Sequence, residues 1–225
     1  MVVNSFSKTG SYHKGLHREN QDFLCSIEDK DYLAVMLADG ATGCKRGLEG
    51  ARLSCEAVSQ IIRNEGATFF NFPKGKIVYL LTEHILYRLE CNQVKENDFA
   101  EYGSTFMLAY MEKKTGRTVM INLGDGAIIS AHDNGFSYLM RPKKYFGNPC
   151  LTTTKGADKA IDIQVENPSL QDRIFLCSDG FLDMLGRGDA TAMLNSCDLE
   201  GLNRELQMTE NPDDCSYISF VRDKK

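Results

Sequence analysis

Residues 32–40 read Tyr32-Leu33-Ala34-Val35-Met36-Leu37-Ala38-Asp39-Gly40, a short apolar run that ends abruptly in a turn dipeptide. Such a run is typical of a buried strand, because its apolar residues do not alternate with polar ones. Beyond Gly43 the period changes, and apolar residues recur in steps of three and four at Leu48, Ala51, Cys55, Val58 and Ile62. The change predicts an amphipathic helix from about residue 43 to 64, directly after the strand.

The middle of the chain returns to short strands after a second helix, which we expect at about 76–94. Four apolar runs at 106–111, 118–123, 127–131 and 136–140 are separated by turn signals, of which Asp133-Asn134-Gly135 is the last. They are predicted to form one antiparallel meander. Residues 142–160 are expected to be an exposed loop, followed by an edge strand at 161–165.

The last part of the chain repeats the opening arrangement. A buried strand at 173–178 ends in Asp179-Gly180, short helices are expected at 181–186, 189–196 and 199–208, and a strand at 216–221 follows. Strands and helices therefore come in groups, without regular alternation. We predict an α+β fold with helices packed on antiparallel sheet, as a single domain over residues 1–225.

Composition excludes several classes of protein. The chain has 225 residues, of which 42% are hydrophobic and 25% charged, and a formal net charge of -5. It is apolar enough to bury a core, and it lacks the basic excess that binds nucleic acid or anionic lipid. The eight cysteines form no C-x-x-C pair, and neither a signal-peptide pattern nor a membrane-length apolar run is present. We expect a cytoplasmic protein that binds neither nucleic acid nor membranes.

Aspartates lie where the apolar runs begin or end, at Asp22, Asp39, Asp179 and either Asp213 or Asp214. One Asp-Gly after a strand commonly forms only a turn. Two matching transitions, with further aspartates at strand ends, suggest more than turns. Carboxylates gathered at neighbouring strand ends repel one another unless hard cations lie among them, and oxygen ligands suit Mg²⁺ or Mn²⁺.

The order of six short motifs resembles the metal-dependent protein phosphatase family, type 2C, and especially its short bacterial members. The resemblance covers nearly the whole chain. The motifs are Arg18-Glu19-Asn20-Gln21-Asp22, Asp39-Gly40-Ala41-Thr42-Gly43, Gly103-Ser104-Thr105, Asn122-Leu123-Gly124-Asp125-Gly126, Ser178-Asp179-Gly180-Phe181-Leu182-Asp183 and Pro212-Asp213-Asp214-Cys215-Ser216.

The resemblance implies a sandwich of two antiparallel sheets flanked by helices, with two Mg²⁺ or Mn²⁺ ions at one end. Asp39 would bridge the ions, Asp22 and the Gly40 carbonyl would bind one, and Asp179 and Asp213 the other. Arg18 would bind phosphate. The implied activity is hydrolysis of phosphoserine and phosphothreonine in proteins by a hydroxide that bridges the two ions.

The chain departs from the family pattern at several positions. Arg18 lies one residue closer to its aspartate than is usual, and Ala41 replaces the histidine of the animal enzymes, which leaves His13 and His17 as the nearest histidines. Ala100 replaces an aspartate that helps to hold a third ion in the family, which leaves the binding of a third ion open. Glu101 and Asp183 are the acidic residues that could take part in it.

Other residues keep alternative interpretations. Asp214 could replace Asp213 as the ligand, although alignment to Ser216 favours Asp213, and Asp125 is interpreted as ordering its turn. Lys45 and Arg46 could attract an acidic phosphosubstrate, or simply form an exposed helical turn; the same suggestion applies to the basic residues Arg141, Lys143 and Lys144.

The resulting prediction is a protein serine/threonine phosphatase that acts on a phosphoprotein and has a kinase as a candidate partner. One alternative is a pseudophosphatase that binds phosphoproteins without turnover. The other is a binuclear phosphodiesterase, which the acidic chain and the lack of histidines near the aspartates disfavour.

Overall fold

The computed structural model describes residues 1–95, 98–132, 135–169, 172–186 and 189–222. The strands in these ranges are β1 (Val2–Lys8), β2 (Asp22–Glu28), β3 (Tyr32–Asp39), β4 (Phe106–Glu112), β5 (Thr118–Leu123), β6 (Ala127–His132), β7 (Gly135–Met140), β8 (Lys144–Tyr145), β9 (Asn148–Pro149), β10 (Asp162–Glu166), β11 (Arg173–Cys177) and β12 (Cys215–Val221). The helices are α1 (Ser11–Gly15), α2 (Gly47–Glu65), α3 (Lys74–Cys91), α4 (Asp179–Leu185), α5 (Asp189–Asn195) and α6 (Leu199–Met208).

The long strands form two five-stranded antiparallel sheets. The first sheet has the order β1-β12-β11-β6-β7, and the second has the order β10-β5-β4-β3-β2. β8 and β9 pair with each other as a separate hairpin. The predicted α+β class, with two antiparallel sheets and helices, is confirmed. None of the helices in the described ranges is long and apolar enough to cross a bilayer.

The run that opens the sequence analysis is apolar throughout because β3 is covered on both faces. Leu33, Val35 and Leu37 point into a core between the two sheets. The alternate residues of β3 join a second core, which includes buried residues of α2 and α3. A third core packs α4, α5 and α6 on the outer face of the first sheet. The layers therefore run helices, sheet, sheet, helices, as a period-two strand between two apolar layers requires.

Helix α2 begins at Gly47, four residues later than predicted, because residues 41–46 form a loop. The Arg46 N–H donates to the Glu101 carbonyl at 3.0 Å and the Cys44 N–H to the Ala41 carbonyl at 2.8 Å. A Cβ on Gly40 would lie 2.3 Å from the backbone carbon of Gly47. Glycine is needed at position 40 because the strand end and the helix start touch there.

The prediction of one antiparallel meander is wrong. β4 pairs with β5, but β6 pairs with β7 and β11 in the other sheet. The chain changes sheets at Gly124–Gly126, where Gly124 has a φ of 115° and a Cβ on Gly126 would lie 2.8 Å from the Cys177 carbonyl oxygen. A tight, glycine-dependent crossing between sheets has the same local sequence as a hairpin turn. Of the predicted turn at Asp133-Asn134-Gly135, the first two residues lie outside the described residues.

The stretch predicted as an exposed loop at 142–160 contains more structure than expected. The β8–β9 hairpin lies in it, with the fully exposed Phe146 at its tip, followed by a 3₁₀ turn at Ala157–Lys159. The strand predicted at 161–165 is β10, the edge strand of the second sheet. Helix α3 ends at Cys91, three residues earlier than predicted.

Candidate active site

Asp22 and Asp39 face each other on neighbouring strands of the second sheet. Asp22 begins β2, Asp39 ends β3, and the antiparallel register pairs them directly. Residues opposite each other in such a pair have Cβ atoms about 4.5–5.5 Å apart. The backbone around Asp39 is anchored, since its N–H donates to Thr105 Oγ1 at 3.1 Å and its carbonyl accepts from the Thr105 N–H at 2.8 Å. These two carboxylates form the second-sheet half of the site.

Asp179 and Asp213 come from the first sheet. Asp179 begins α4 directly after β11, Asp213 lies just before β12, and β11 and β12 are neighbours. A Cβ on Gly180 would lie 2.1 Å from the Asp214 carbonyl oxygen, so the two segments touch through a glycine. Asn211 Nδ2 donates to the Gly180 carbonyl at 2.8 Å and holds them together. These two aspartates form the first-sheet half of the site.

The two halves are close enough to act on each other electrostatically. Burial raises the pKa of Asp22 to about 8; the nearby Ser216 hydroxyl, which donates to Ser7, lowers it in part, and the negative charges of Asp214, Asp179 and Asp213 raise it further. Burial, followed by the charges of Asp22 and Asp179, also raises the pKa of Asp39 well above its usual value. The five aspartates therefore form one cluster across the two sheets, and it favours protonation or bound cations.

The pKa values of the first-sheet half shift in the same direction. Burial, with the charges of Asp125 and Asp213, raises the pKa of Asp179 to about 6. Burial also raises the pKa of Asp213. The shift at Asp179 is smaller than at Asp22, so the second-sheet half carries the larger penalty for charge.

The donor atoms of the cluster suit hard cations. Both carboxylate oxygens of Asp22 and Oδ1 of Asp179 are buried and have no hydrogen-bond partner among the described residues. Buried polar atoms without partners are rare, and unpaired carboxylate oxygens are ligands for Mg²⁺ and Mn²⁺. Within the described residues, however, no three His, Cys, Asp or Glu side chains already form a set that could hold an ion.

Asp213 and Asp214 differ sharply, although they are adjacent. Asp214 is 2% exposed and accepts from the Gly10 N–H at 2.7 Å, from the Gln21 N–H at 2.6 Å and from His13 Nδ1 at 2.8 Å. Asp213 is only partly buried and accepts the Asp214 N–H at 2.9 Å. Both oxygens of Asp214 are thus committed within the protein, which favours Asp213 as the ligand.

His13 is not a solvated loop histidine. It lies in α1, is 2% exposed and contacts Asp214, while its Nε2 is buried without a partner. His17 is exposed and has a φ of 54°. The contact of His13 with an aspartate 201 residues away has no local signal in the sequence.

Arg18 is exposed beside the loop that follows Asp39 and Gly40. Its Nη1 lies 3.5 Å from the Thr42 carbonyl oxygen. The structure thus brings Arg18 to the Asp-Gly segment, at the rim of the cluster. Its predicted contact with phosphate stays a prediction.

Asp125 and Lys144 belong to the cluster and were not predicted there. Asp125 is 4% exposed, and its Oδ2 lies 3.2 Å from Nζ of Lys144, at the base of the β8–β9 hairpin. Its charge raises the pKa of Asp179, so it faces the cluster as well as lying in a turn. In the sequence, the Gly-Asp-Gly turn between two buried strands pointed to Asp125, whereas only its charge pointed to Lys144.

The residues considered for a third ion are at the edges of the site. The Glu101 carboxylate accepts the Lys45 N–H at 2.9 Å and so orders the 41–46 loop. Asp183 is exposed on α4, and its charge acts on Asp213 and Lys144. A third ion stays a prediction.

Comparison with known proteins agrees with this geometry. A family model described as protein phosphatase 2C matches residues 9–209. None of the curated proteins compared matches the chain. A serine/threonine phosphatase from Staphylococcus aureus has a similar structure, with a TM-score of 0.73 and 14% identity over 99% of this chain and 95% of that one.

Two further solved structures have the same fold. The serine/threonine phosphatase PstP/Ppp from Mycobacterium tuberculosis has a TM-score of 0.70 and 16% identity over 99% of both chains. RsbX in complex with magnesium has a TM-score of 0.60 and 14% identity over 96% of this chain and 92% of that one. The family model covers most of the sequence. The chain belongs to the protein phosphatase 2C family.

Proposed function

We propose that the protein is a metal-dependent protein serine/threonine phosphatase that uses two Mg²⁺ or Mn²⁺ ions. One observation carries the proposal: aspartates from both sheets meet at one end of the sandwich, with three of their oxygens buried and unpartnered. Carboxylates that are buried or partly buried in one place destabilise the folded chain unless cations bind there. Their placement is therefore explained best by a function that needs the cations.

Each proposed ligand has a position suited to its role. Asp39 lies opposite Asp22, and the charges of both Asp22 and Asp179 act on it, so it would be the ligand shared by two ions. Asp22 and the Gly40 carbonyl would serve one ion, and Asp179 and Asp213 the other. When bound, such ions supply an acidified water as nucleophile and positive charge for the phosphoryl oxygens.

Arg18 is proposed to bind the phosphoryl group from the rim. Its guanidinium is exposed, and it has only a long contact, with the Thr42 carbonyl. A planar guanidinium donates two parallel hydrogen bonds to phosphate oxygens, and releasing so weak a contact costs little. The substrate would therefore be oriented between the arginine and the carboxylate cluster.

A second candidate is a pseudophosphatase that binds phosphoproteins without turnover. It would keep the carboxylate cluster and the exposed Arg18 beside it, but it would not hydrolyse the phosphopeptide. Under this alternative the fold and the rim would still recognise a phosphorylated partner.

A turnover assay separates the two candidates. The purified protein should hydrolyse p-nitrophenyl phosphate and a phosphothreonine peptide with Mn²⁺, and excess chelator should abolish both activities. Calorimetry should show Mn²⁺ binding to the same sample. Absence of turnover from a folded sample that binds the phosphopeptide would favour the pseudophosphatase. Absence of both turnover and Mn²⁺ binding would contradict the proposed function.

A further inference from the structure

A cleft of about 810 Å³ lies between the start of β2 and helix α2. Its lining includes Gln21, Phe23 and Leu48. Gln21 precedes Asp22, and its backbone bonds to both halves of the site, through the Gly40 N–H at 3.0 Å and the Asp214 carboxylate at 2.6 Å. The volume lies within the range of small-ligand pockets and is large enough for a few residues of extended peptide.

The Gln21 side chain forms the floor of the cleft. Gln21 is only 5% exposed, and its Oε1 packs against the start of α2, where a Cβ on Gly47 would lie 3.0 Å from it. Phe23 and Leu48 provide apolar surface for the side chains of a bound peptide.

The charges of the cleft wall favour an acidic ligand. Four basic side chains and three acidic ones line it, in a chain whose net charge is -5. Arg46 is paired with Glu49 at 2.8 Å, and the Glu101 carboxylate accepts a backbone N–H of the 41–46 loop. Lys45 and Lys95 are exposed and form no ion pair with any described residue. Of the three acidic residues in the wall, Asp98 is the one whose carboxylate makes neither kind of contact with a described residue.

We infer that this cleft binds the substrate segment next to the phosphorylated residue and selects substrates with acidic side chains there. The inference rests on the proposed function, because it deepens the specificity of the same site. Lys45 is the main specificity-determining residue: it follows the Asp39-Gly40 loop and is free to pair with a carboxylate. Charged groups at a rim act mainly on association and on the choice of partner.

The test compares two phosphothreonine peptides of equal length, one with glutamates and one with glutamines beside the phosphothreonine. With Mn²⁺ at low salt, wild-type kcat/KM should be about tenfold higher for the acidic peptide, and 0.5 M salt should reduce the preference, because charges at the surface are screened. Lys45→Glu should remove the preference through KM, and Lys45→Gln should remove part of it. The control is Lys114→Glu, which makes the same charge change at an exposed lysine that follows β4. It should leave the ratio of kcat/KM for the two peptides unchanged.

Equal kcat/KM for the two peptides in the wild type would overturn the inference, as would equal effects of Lys45→Glu and Lys114→Glu. If neither peptide is hydrolysed, the proposed function fails, and the cleft is tested by fluorescence anisotropy of the labelled peptides in Mn²⁺. Tighter binding of the acidic peptide, lost in Lys45→Glu, would support the cleft without turnover. Equal binding of both peptides would overturn it.

Discussion

The two halves of the carboxylate cluster differ in how their negative charges are stabilised. In the second-sheet half, both oxygens of Asp22 lack partners, and the pKa of Asp22 is raised to about 8. In the first-sheet half, Asp214 is fully hydrogen-bonded within the protein, and the pKa of Asp179 is raised only to about 6. The larger pKa shift marks Asp22 as the carboxylate that a bound cation would stabilise most, whereas Asp214, beside the first-sheet half, is stabilised by hydrogen bonds within the protein.

The largest expected effect is the loss of catalysis in Asp39→Asn. Asp39 is placed to serve both ions, so the change should lower kcat by at least roughly 100-fold and abolish tight Mn²⁺ binding. Folding should be little affected, because an amide is not subject to the repulsion that raises the pKa of Asp39. Phosphopeptide turnover and calorimetry measure both effects.

The control for this variant is Asp31→Asn, at the other end of β3, where the carboxylate is 60% exposed. It should leave turnover and ion binding unchanged. An unchanged rate in Asp39→Asn would show that the ligand assignment is wrong.

The second expected effect separates Asp213 from Asp214. Asp214→Ala leaves the buried N–H groups of Gly10 and Gln21 without an acceptor, so the free energy of unfolding should fall by about 3 kcal/mol. Asp213→Ala removes a partly exposed side chain with one local contact and should cost less than about 1 kcal/mol. Urea denaturation in chelator measures both.

Ion binding should show the opposite order. Asp213→Ala is expected to weaken Mn²⁺ binding, because Asp213 is the proposed ligand. Equal losses of stability in the two variants would contradict the division between a ligand and a structural carboxylate.

The third expected effect is a fall in the stability of the fold as pH rises, which added Mn²⁺ should reverse. The pKa of Asp22 is raised to about 8 in the folded protein, from an ordinary value of 3.8. Between these values the folded state holds a proton that the unfolded chain releases, so stability falls as pH rises. Without metal, the melting temperature should therefore decrease from pH 5 to pH 8, by a few degrees more in the wild type than in Asp22→Asn.

Added Mn²⁺ should raise the melting temperature most at pH 8, where the carboxylates are ionised and able to bind it. Differential scanning fluorimetry at both pH values measures the change. A decrease of the same size in the wild type and in Asp22→Asn would show that Asp22 is not a source of the pH dependence.

The second-sheet half was easier to predict than the first. A continuous apolar strand that ends in Asp39-Gly40 places its carboxylate at a strand end, and the change of period identifies the helix that follows. The sheet to which β6 belongs could not be predicted, because the crossing at Gly124 to Gly126 has the sequence of a hairpin turn. The contact between His13 and Asp214 spans 201 residues, so it depends on the pairing of β1 with β12.

The smallest expected effect concerns Lys144, whose ammonium lies 3.2 Å from Asp125 beside the first-sheet half. Asp125 also raises the pKa of Asp179, and Lys144 counters that negative charge. Removing the lysine in Lys144→Met leaves more negative charge near the site, so Mn²⁺ should bind more tightly. The ion pair is half-exposed and screened by water, which limits the gain to about threefold.

The matched control is Lys143→Met, since Lys143 pairs with Asp162 on β10 and not with Asp125. Calorimetric titration of both variants with Mn²⁺ should show tighter binding only in Lys144→Met. Weaker binding there would mean that Lys144 holds Asp125 in the position the ions require. In that case the first-sheet half would depend on the β8–β9 hairpin for its geometry as well as for its charge.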